Sequence, residues 1–235
     1  MAATSGPEGS GQQLARELYR WRAWCYDWQL APYEGLRGQA IASLGLQAGQ
    51  TVLDVGCGTG LSLPRLSEQV GAEGRVIGID LCPEMLAVAR ERVRGLALNN
   101  VELVCAPIEA AQWQGLADAA LFHFTHDILQ SDAALTHVIE GLAPRAHVVA
   151  TGLQWTAQAW TGLNASVWWS AMQSITRPDG LEQPWKGLSS RLHEVSLQSL
   201  LFGTIYQLTG LSQAYWSGTP PPRHGRSRAG RSLKP

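Results

Sequence analysis

The stretch Val52-Leu53-Asp54-Val55-Gly56-Cys57-Gly58-Thr59-Gly60 decides the fold. Its first four residues are short and apolar with one acid near the end, as in a buried strand. Three glycines at alternating positions follow at once, and Leu61-Ser62-Leu63-Pro64-Arg65-Leu66 then reads as the start of a helix. A strand, a tight glycine turn and a helix N-terminus make a cradle for a nucleotide, because glycine adopts unusual backbone angles and brings the main chain close to a ligand. A dinucleotide fingerprint is G-x-G-x-x-G. Here the spacing is G-x-G-x-G and Leu61 stands where the third dinucleotide glycine belongs, which argues against a nicotinamide-dependent oxidoreductase.

Twenty residues beyond Gly60, a second buried strand, Val76-Ile77-Gly78-Ile79-Asp80, also ends in an acid. An Asp there accepts hydrogen bonds from both ribose hydroxyls of an adenosine. Together, Leu53 to Gly60 and Gly78-Ile79-Asp80 resemble motifs I and II of the class I S-adenosylmethionine (AdoMet)-dependent methyltransferases. The resemblance covers roughly residues 15–210. It implies a Rossmann-like α/β fold: a seven-stranded, mostly parallel sheet of order 3-2-1-4-5-7-6 with an antiparallel C-terminal hairpin and an α-helical cap. It also implies AdoMet as cofactor and S-adenosyl-L-homocysteine as product.

The rest of the chain fits that frame. With 235 residues, one domain and a tail are expected. Residues 1–10 are small, polar and glycine-containing, and are expected to be disordered. Residues 11–216 form the methyltransferase domain, with the cap drawn from about 11–35 and 152–190. Residues 217–235 read as a disordered basic tail: Pro220-Pro221-Pro222 leads into Arg223, Arg226, Arg228, Arg231 and Lys234 with no acid. Net charge is only −1, so no global field points to nucleic acid or an anionic membrane. No apolar run suffices to span a bilayer, and no secretory signal is visible. The four cysteines, Cys25, Cys57, Cys82 and Cys105, lack C-x-x-C spacing, which suits a reduced, cytoplasmic setting and small buried filler.

Periodicity predicts helices over Gln12–Trp28, 36–44, 61–70, 83–96 and 133–142, with strands over 51–55, 75–80, 101–105, 117–122 and 147–151. Pro83 suits a first helical turn. Ser131 or Asp132 caps the helix at 133. A short helix near Trp185 and two strands around Gly203 complete the chain.

The resemblance assigns cofactor contacts residue by residue. Gly56, Cys57, Gly58 and Gly60 face the methionine part, and Asp54 meets its ammonium. Asp80 takes the ribose diol, and Leu81 and Met85 lie against the adenine. Phe122 and His123, ending the fourth strand, belong to the same site. Tyr26, in a Tyr26-Asp27 pair before the core, either lies over the methionine end or packs the cap. One departure stands out. Where the family often shows Gly-Asp-Ala after strand three, this chain has Cys105-Ala106-Pro107, so the carboxylate that meets the adenine amino group is missing. Main-chain groups of Ala106, Pro107 and Ile108 are the expected substitutes.

Methyl transfer from a sulfonium requires an acceptor held in line and water kept out, and a base only when the acceptor loses a proton. Candidate bases follow strand four: His123 and His126, with Asp127 beside them. The competing reading is a histidine that bonds loop backbone. No third ligand accompanies the two histidines, so no metal is expected. Eight of the ten tryptophans lie near the start or after strand five. In the family, those two places fold over the acceptor. Trp24, Trp28, Trp160, Trp169 and Trp185 are therefore expected to wall an apolar acceptor pocket, unless they build the cap's own core. Arg177 and Asp179 are rim candidates. The expected activity is methylation at O, N or C of a hydrophobic, aromatic or prenylated small molecule, as in the ubiquinone/menaquinone-type and secondary-metabolite branches. A phospholipid N-methyltransferase and a non-catalytic AdoMet-binding protein are the alternatives. Nucleic acid is not expected as a partner, since no base clamp follows strand four.

Overall fold

A computed structural model describes residues 34–155 and 180–213. In chain order the elements are α1 (Glu34–Ser43), β1 (Thr51–Val55), α2 (Leu63–Val70), β2 (Arg75–Asp80), α3 (Pro83–Gly95), β3 (Val101–Cys105), β4 (Ala117–His123), α4 (His126–Leu129), α5 (Asp132–Glu140), β5 (Leu142–Leu153), α6 (Lys186–Ser189), β6 (Leu192–Leu200) and β7 (Ile205–Ser212). The seven strands form one sheet of order 3-2-1-4-5-7-6. β1 to β5 run parallel, while β7 pairs antiparallel with both β5 and β6. The expected sheet order and C-terminal hairpin are both present. The cap at 11–33 and 156–179, the N-terminus and the basic tail lie outside the described residues.

Alternation along the strands sorts the core into two layers. Leu53, Val55, Ile77, Ile79 and Phe122 point to the face covered by Leu135 and Val138 of α5. Val52, Val76, Leu121 and Val149 point to the other, covered by Ala40 and Ile41 of α1, Leu66 of α2 and Leu86 of α3. Every one of these is essentially inaccessible to solvent. Burying each such side chain contributes roughly 1.5–3 kcal/mol.

Local signals act as the sequence suggests in several places. Pro83 occupies the first turn of α3, and Ser131 caps α5 by accepting from the Ala134 N–H at 3.2 Å. β5 is longer than the expected 147–151. It begins at Leu142, which pairs with Ala117 before the register shifts and His147 takes up Ala119. The hairpin reversal after β6 is also sharper than two strands around a glycine. Leu201, Phe202 and Gly203 all take positive φ, at 44°, 57° and 88°.

The sequence order reverses between β1 and β4, which are neighbours although β2 and β3 intervene in the chain. Such a switch point leaves a crevice outside the carboxyl ends of the strands, where α/β sheets place ligands.

Candidate cofactor and active site

The crevice is a cavity of about 390 Å³, within the range of small-molecule sites. It is lined by Asp54 from β1, the turn Gly56–Thr59, Asp80 at the end of β2, Met85 of α3 and the segment His123–Ile128. Arg37 of α1 closes one side.

The glycine turn is tied to β2 at three points. The N–H groups of Gly56 and Cys57 both donate to the Ile79 carbonyl, at 2.8 and 2.9 Å. The Gly58 N–H donates to Asp80 Oδ2 at 2.8 Å. From the other side, Arg92 of α3 donates to the Thr59 carbonyl. Gly56 sits at φ +75°, and a Cβ there would come within 2.6 Å of Thr125 Cγ2 and 2.8 Å of Ile128 Cδ1. Glycine is required both for the angle and for the space. Gly60 does not line the cavity. A Cβ on it would meet Leu63 at 2.6 Å, so its place is to let α2 and α3 close on the turn.

Asp80 uses each carboxylate oxygen once within the protein. Oδ2 accepts from Gly58, and Oδ1 accepts from the Cys82 N–H at 2.8 Å. A carboxylate oxygen has a second acceptor site, so the group can still receive two hydroxyls. Leu81, between the cavity residues Asp80 and Cys82, is 67% exposed.

Asp54 is 2% exposed and its Oδ2 has no hydrogen-bond partner among the described residues. Burial pushes its carboxyl up to about 7, against the pull of the Arg37 guanidinium and with a further push from Asp80. His123 is half-buried, with both ring nitrogens inaccessible to solvent and neither hydrogen-bonded among the described residues. Burial, helped by the Arg37 charge, lowers it to about 3. The imidazole is therefore neutral at physiological pH and a weak base, which counts against the general-base role expected of it from sequence. It sits edge-on to Phe124 at 4.8 Å. His126, the first residue of α4, is buried and lines the same cavity.

Several expected contacts fall elsewhere. Phe122 is fully buried in the core layer facing α5, not in the cavity. Ala106, Pro107 and Ile108 do not line the cavity either. The Ala106 N–H already donates to the Asp80 carbonyl at 3.1 Å, Pro107 has none, and Ile108 packs into the core. Trp185 packs against Tyr206 with ring centroids 5.0 Å apart, against the α5-side core, and not on the cavity. Tyr26, Trp24, Trp28, Trp160, Trp169, Arg177 and Asp179 lie outside the described residues. Among the described residues no group of three or more His, Cys, Asp or Glu could hold a metal ion. No described helix is long and apolar enough to cross a membrane.

Arg37 is one cavity residue that sequence reasoning missed, as are Thr125 and Ile128. Its spacing from Glu34, i to i+3, reads as a surface ion pair, and nothing in the helical pattern marks that end of α1 as reaching the site. Cys82 was within reach: an Asp two residues ahead of a helix-opening Cys-Pro is positioned to take its N–H.

These features define a Rossmann-like α/β fold with a cavity at the switch point of its sheet. Residues 52–145, less than half of the chain, match the family described as "Methyltransferase domain". A demethylmenaquinone methyltransferase of Oceanobacillus iheyensis is 43% identical over 72 residues, which is 31% of this chain and 30% of that protein. The chain thus spans about a third of the length of the curated relatives it matches. Among solved structures, an AdoMet-dependent methyltransferase from Aquifex aeolicus superposes with a TM-score of 0.54 at 21% identity, covering 75% of this chain and 89% of that one. A phosphoethanolamine N-methyltransferase of Haemonchus contortus, solved with phosphomonomethylethanolamine and S-adenosylhomocysteine, gives 0.57 at 14% identity over 75% and 52%. At these identities the likeness concerns the fold.

Proposed function

We propose that this protein transfers a methyl group from AdoMet to a hydrophobic, aromatic or prenylated small molecule, at O, N or C. The observation that carries the reading is the cavity at the β1/β4 switch point, with the glycine turn, Asp54 and Asp80 on one wall and His123 and His126 on the other. The fit to the cofactor rests on the buried, unpartnered Asp54 Oδ2 and on a cradle that a side chain at Gly56 would fill. When bound, AdoMet supplies a sulfonium whose methyl group is already activated for displacement.

The residues divide the work. Asp80 accepts the ribose hydroxyls on its remaining acceptor sites. Gly56, Cys57 and Gly58 bring main chain to the methionine part, and Asp54 takes its ammonium. Met85 and Leu81 give the adenine apolar contact. His123, kept neutral, adds no charge beside a sulfonium and orients the acceptor by a hydrogen bond. His126 receives the proton where the acceptor must lose one. The working unit is residues 11–216, with 11–35 and 152–190 closing over the acceptor and their tryptophans, Trp24, Trp28, Trp160 and Trp169 among them, walling it. Tyr26 belongs to the same lid. The partial identity to demethylmenaquinone methyltransferases supports a quinone-type acceptor.

The test uses the full chain, methyl-labelled AdoMet and a cell extract, partitioned between organic solvent and water. Label in an aromatic or prenylated product of the organic phase is the expected result. Label in phospholipid would make the protein a phospholipid N-methyltransferase. Aqueous label would overturn the apolar acceptor. AdoMet binding with no transfer, in extract and to a panel of quinol and phenol acceptors, would leave a binding protein.

A further inference from the structure

We propose that Thr151 and Gln207 are positioning residues for His123. They turn its ring N–H into the sheet and its bare nitrogen to the cavity, so that the acceptor is recognised by an O–H or N–H group of its own. The inference rests on the methyl-transfer reading above and deepens it by naming the acceptor group that the site requires.

The three side chains lie in one row across three strands. His123 of β4 is the register partner of Thr151 of β5, which is in turn the register partner of Gln207 of β7. Register partners present their side chains to the same face of a sheet. That face is the one under α1, because the flanking residues Phe122, Ala150, Tyr206 and Leu208 all pack into the opposite, α5-side layer. Thr151 is fully buried and Gln207 is 2% exposed. Thr151 Oγ1, Gln207 Oε1 and both ring nitrogens of His123 are inaccessible to solvent and have no hydrogen-bond partner among the described residues. Three neighbours with open polar atoms on one buried face complete one another, directly or through an ordered water.

The row has a direction, set at its far end. The Ser43 hydroxyl of α1 has one proton, which it donates to the Gln39 carbonyl at 2.9 Å. Toward Gln207 it can only accept, and the Gln207 amide N–H donates to it at 3.0 Å. The amide is thereby fixed, with Oε1 on its other branch in need of a donor. Thr151 supplies the hydroxyl proton, and its lone pair then accepts from the His123 N–H. A water that accepts from one neighbour and donates to the next keeps the same sense. In a neutral imidazole the hydrogen bond at one nitrogen decides what the other presents. With its N–H engaged in the sheet, His123 turns a lone pair to the cavity that it lines. A lone pair accepts from a phenol, a quinol or an amine, and offers nothing to a carbonyl or an ether oxygen. The site thus selects the hydroxyl form of a ring over its carbonyl form.

Nitrogen-15 NMR of the full chain with labelled histidine tests this without cofactor or acceptor, with His123→Asn identifying the signals. The parent should show a single His123 tautomer, whose ring N–H proton gives a through-space cross-peak to the Thr151 methyl group. Thr151→Val keeps the shape and removes the hydroxyl, and should leave an averaged pair of His123 nitrogens. Gln207→Leu should do the same, while Thr151→Ser should retain the parent pattern. A cross-peak from the ring N–H to the methyl group of Thr125, on the cavity lining, would turn the ring around and overturn the proposal. So would His123 nitrogens that are unchanged in Thr151→Val. In the labelled-extract assay, Thr151→Val should lower transfer about tenfold, the scale of one lost hydrogen bond, with S-adenosylhomocysteine affinity held within about threefold and transfer recovered in Thr151→Ser. An equal loss of transfer and affinity would mark a residue that only supports the fold, and would overturn the positioning role. No transfer by the parent would sink the methyltransferase reading and the acceptor preference with it, while the NMR pattern would still decide how the ring is held.

Discussion

The two walls of the cavity are built differently. On the β1–β2 side, the polar groups of the turn are satisfied by the protein itself. Gly56 and Cys57 donate to Ile79, Gly58 and Cys82 donate to Asp80, and Arg92 holds Thr59. On the β4–β5 side, His123, Thr125 and Thr151 bury polar atoms that have no hydrogen-bond partner among the described residues. His123 and Thr151 are register partners, and Thr151 pairs in turn with Gln207, whose Oε1 is in the same condition. Thr151 and Gln207 lie outside the cavity lining, whereas the open polar atoms of His123 and Thr125 face it; buried polar groups are nearly always bonded, so these two mark a place kept for water or ligand. Apart from Asp54 Oδ2, the first wall is satisfied within the protein, while the second keeps several open polar atoms. A common cofactor suits the first and a variable acceptor the second.

The contrast can be broken most decisively at Asp80. If the β2 carboxylate is both the strap of the turn and the ribose acceptor, Asp80→Ala removes both. Affinity for S-adenosylhomocysteine should then fall at least about 100-fold, near 3 kcal/mol, by titration calorimetry. A loss under tenfold would show that the turn holds its shape and its ligand without β2.

Next in size is Gly56→Val. The residue would need φ +75° and would collide with Thr125 and Ile128, so chemical denaturation should show a loss of about 2–3 kcal/mol. Thr125→Ser deletes the nearest colliding atom and should restore part of it. No restoration would mean that the backbone angle, not the second wall, sets the need for glycine.

A smaller effect comes from Asp54, the one open polar group of the first wall. Its carboxyl has a pKa of about 7 in the fold against 3.8 in the unfolded chain. The native state therefore holds the proton more tightly. The group's contribution to stability is fully present below pH 3.8 and is lost as pH rises to 7. Asp54→Asn should consequently melt higher than the parent at pH 8 and be indistinguishable from it at pH 4. Binding an ammonium needs the ionised form, so S-adenosylhomocysteine affinity should drop about tenfold from pH 8 to pH 6, or 1.4 kcal/mol. The Asn variant should be weak at both. His123, already neutral in this range, should contribute nothing to the slope.

The smallest effect is expected outside both walls. Trp185→Phe trims the contact with Tyr206 and should reduce stability by about 1 kcal/mol with no change in cofactor affinity. A selective loss of turnover would return Trp185 to the acceptor side.

The finished wall is also the one that can be read in the sequence. Leu53 to Gly60 and Gly78 to Asp80 are contiguous stretches whose residue types are dictated by backbone angle and hydrogen bonding, and local order is enough to place them. The other wall depends on facts that local order does not carry. Whether His123 is a base turns on how deeply it is buried. Phe122 is one residue away, and strand alternation sends it to the opposite layer. Arg37 looks like half of a surface pair until β1 and β4 are brought beneath α1. The tryptophans suggest an apolar lid by composition alone, and the one expected lid residue that the structure describes, Trp185, packs into the core instead.

The close approach of Gly56 to Thr125 and Ile128 bears on redesign. The segment after β4 is the natural target for reshaping the pocket toward a new acceptor, yet it is also the surface on which the glycine turn rests. Enlarging Thr125 or Ile128 would press on the turn, and trimming them would leave it unsupported. Libraries that vary this segment alone will therefore trade new acceptors against cofactor retention. Diversity placed elsewhere along the acceptor side leaves the shared wall intact.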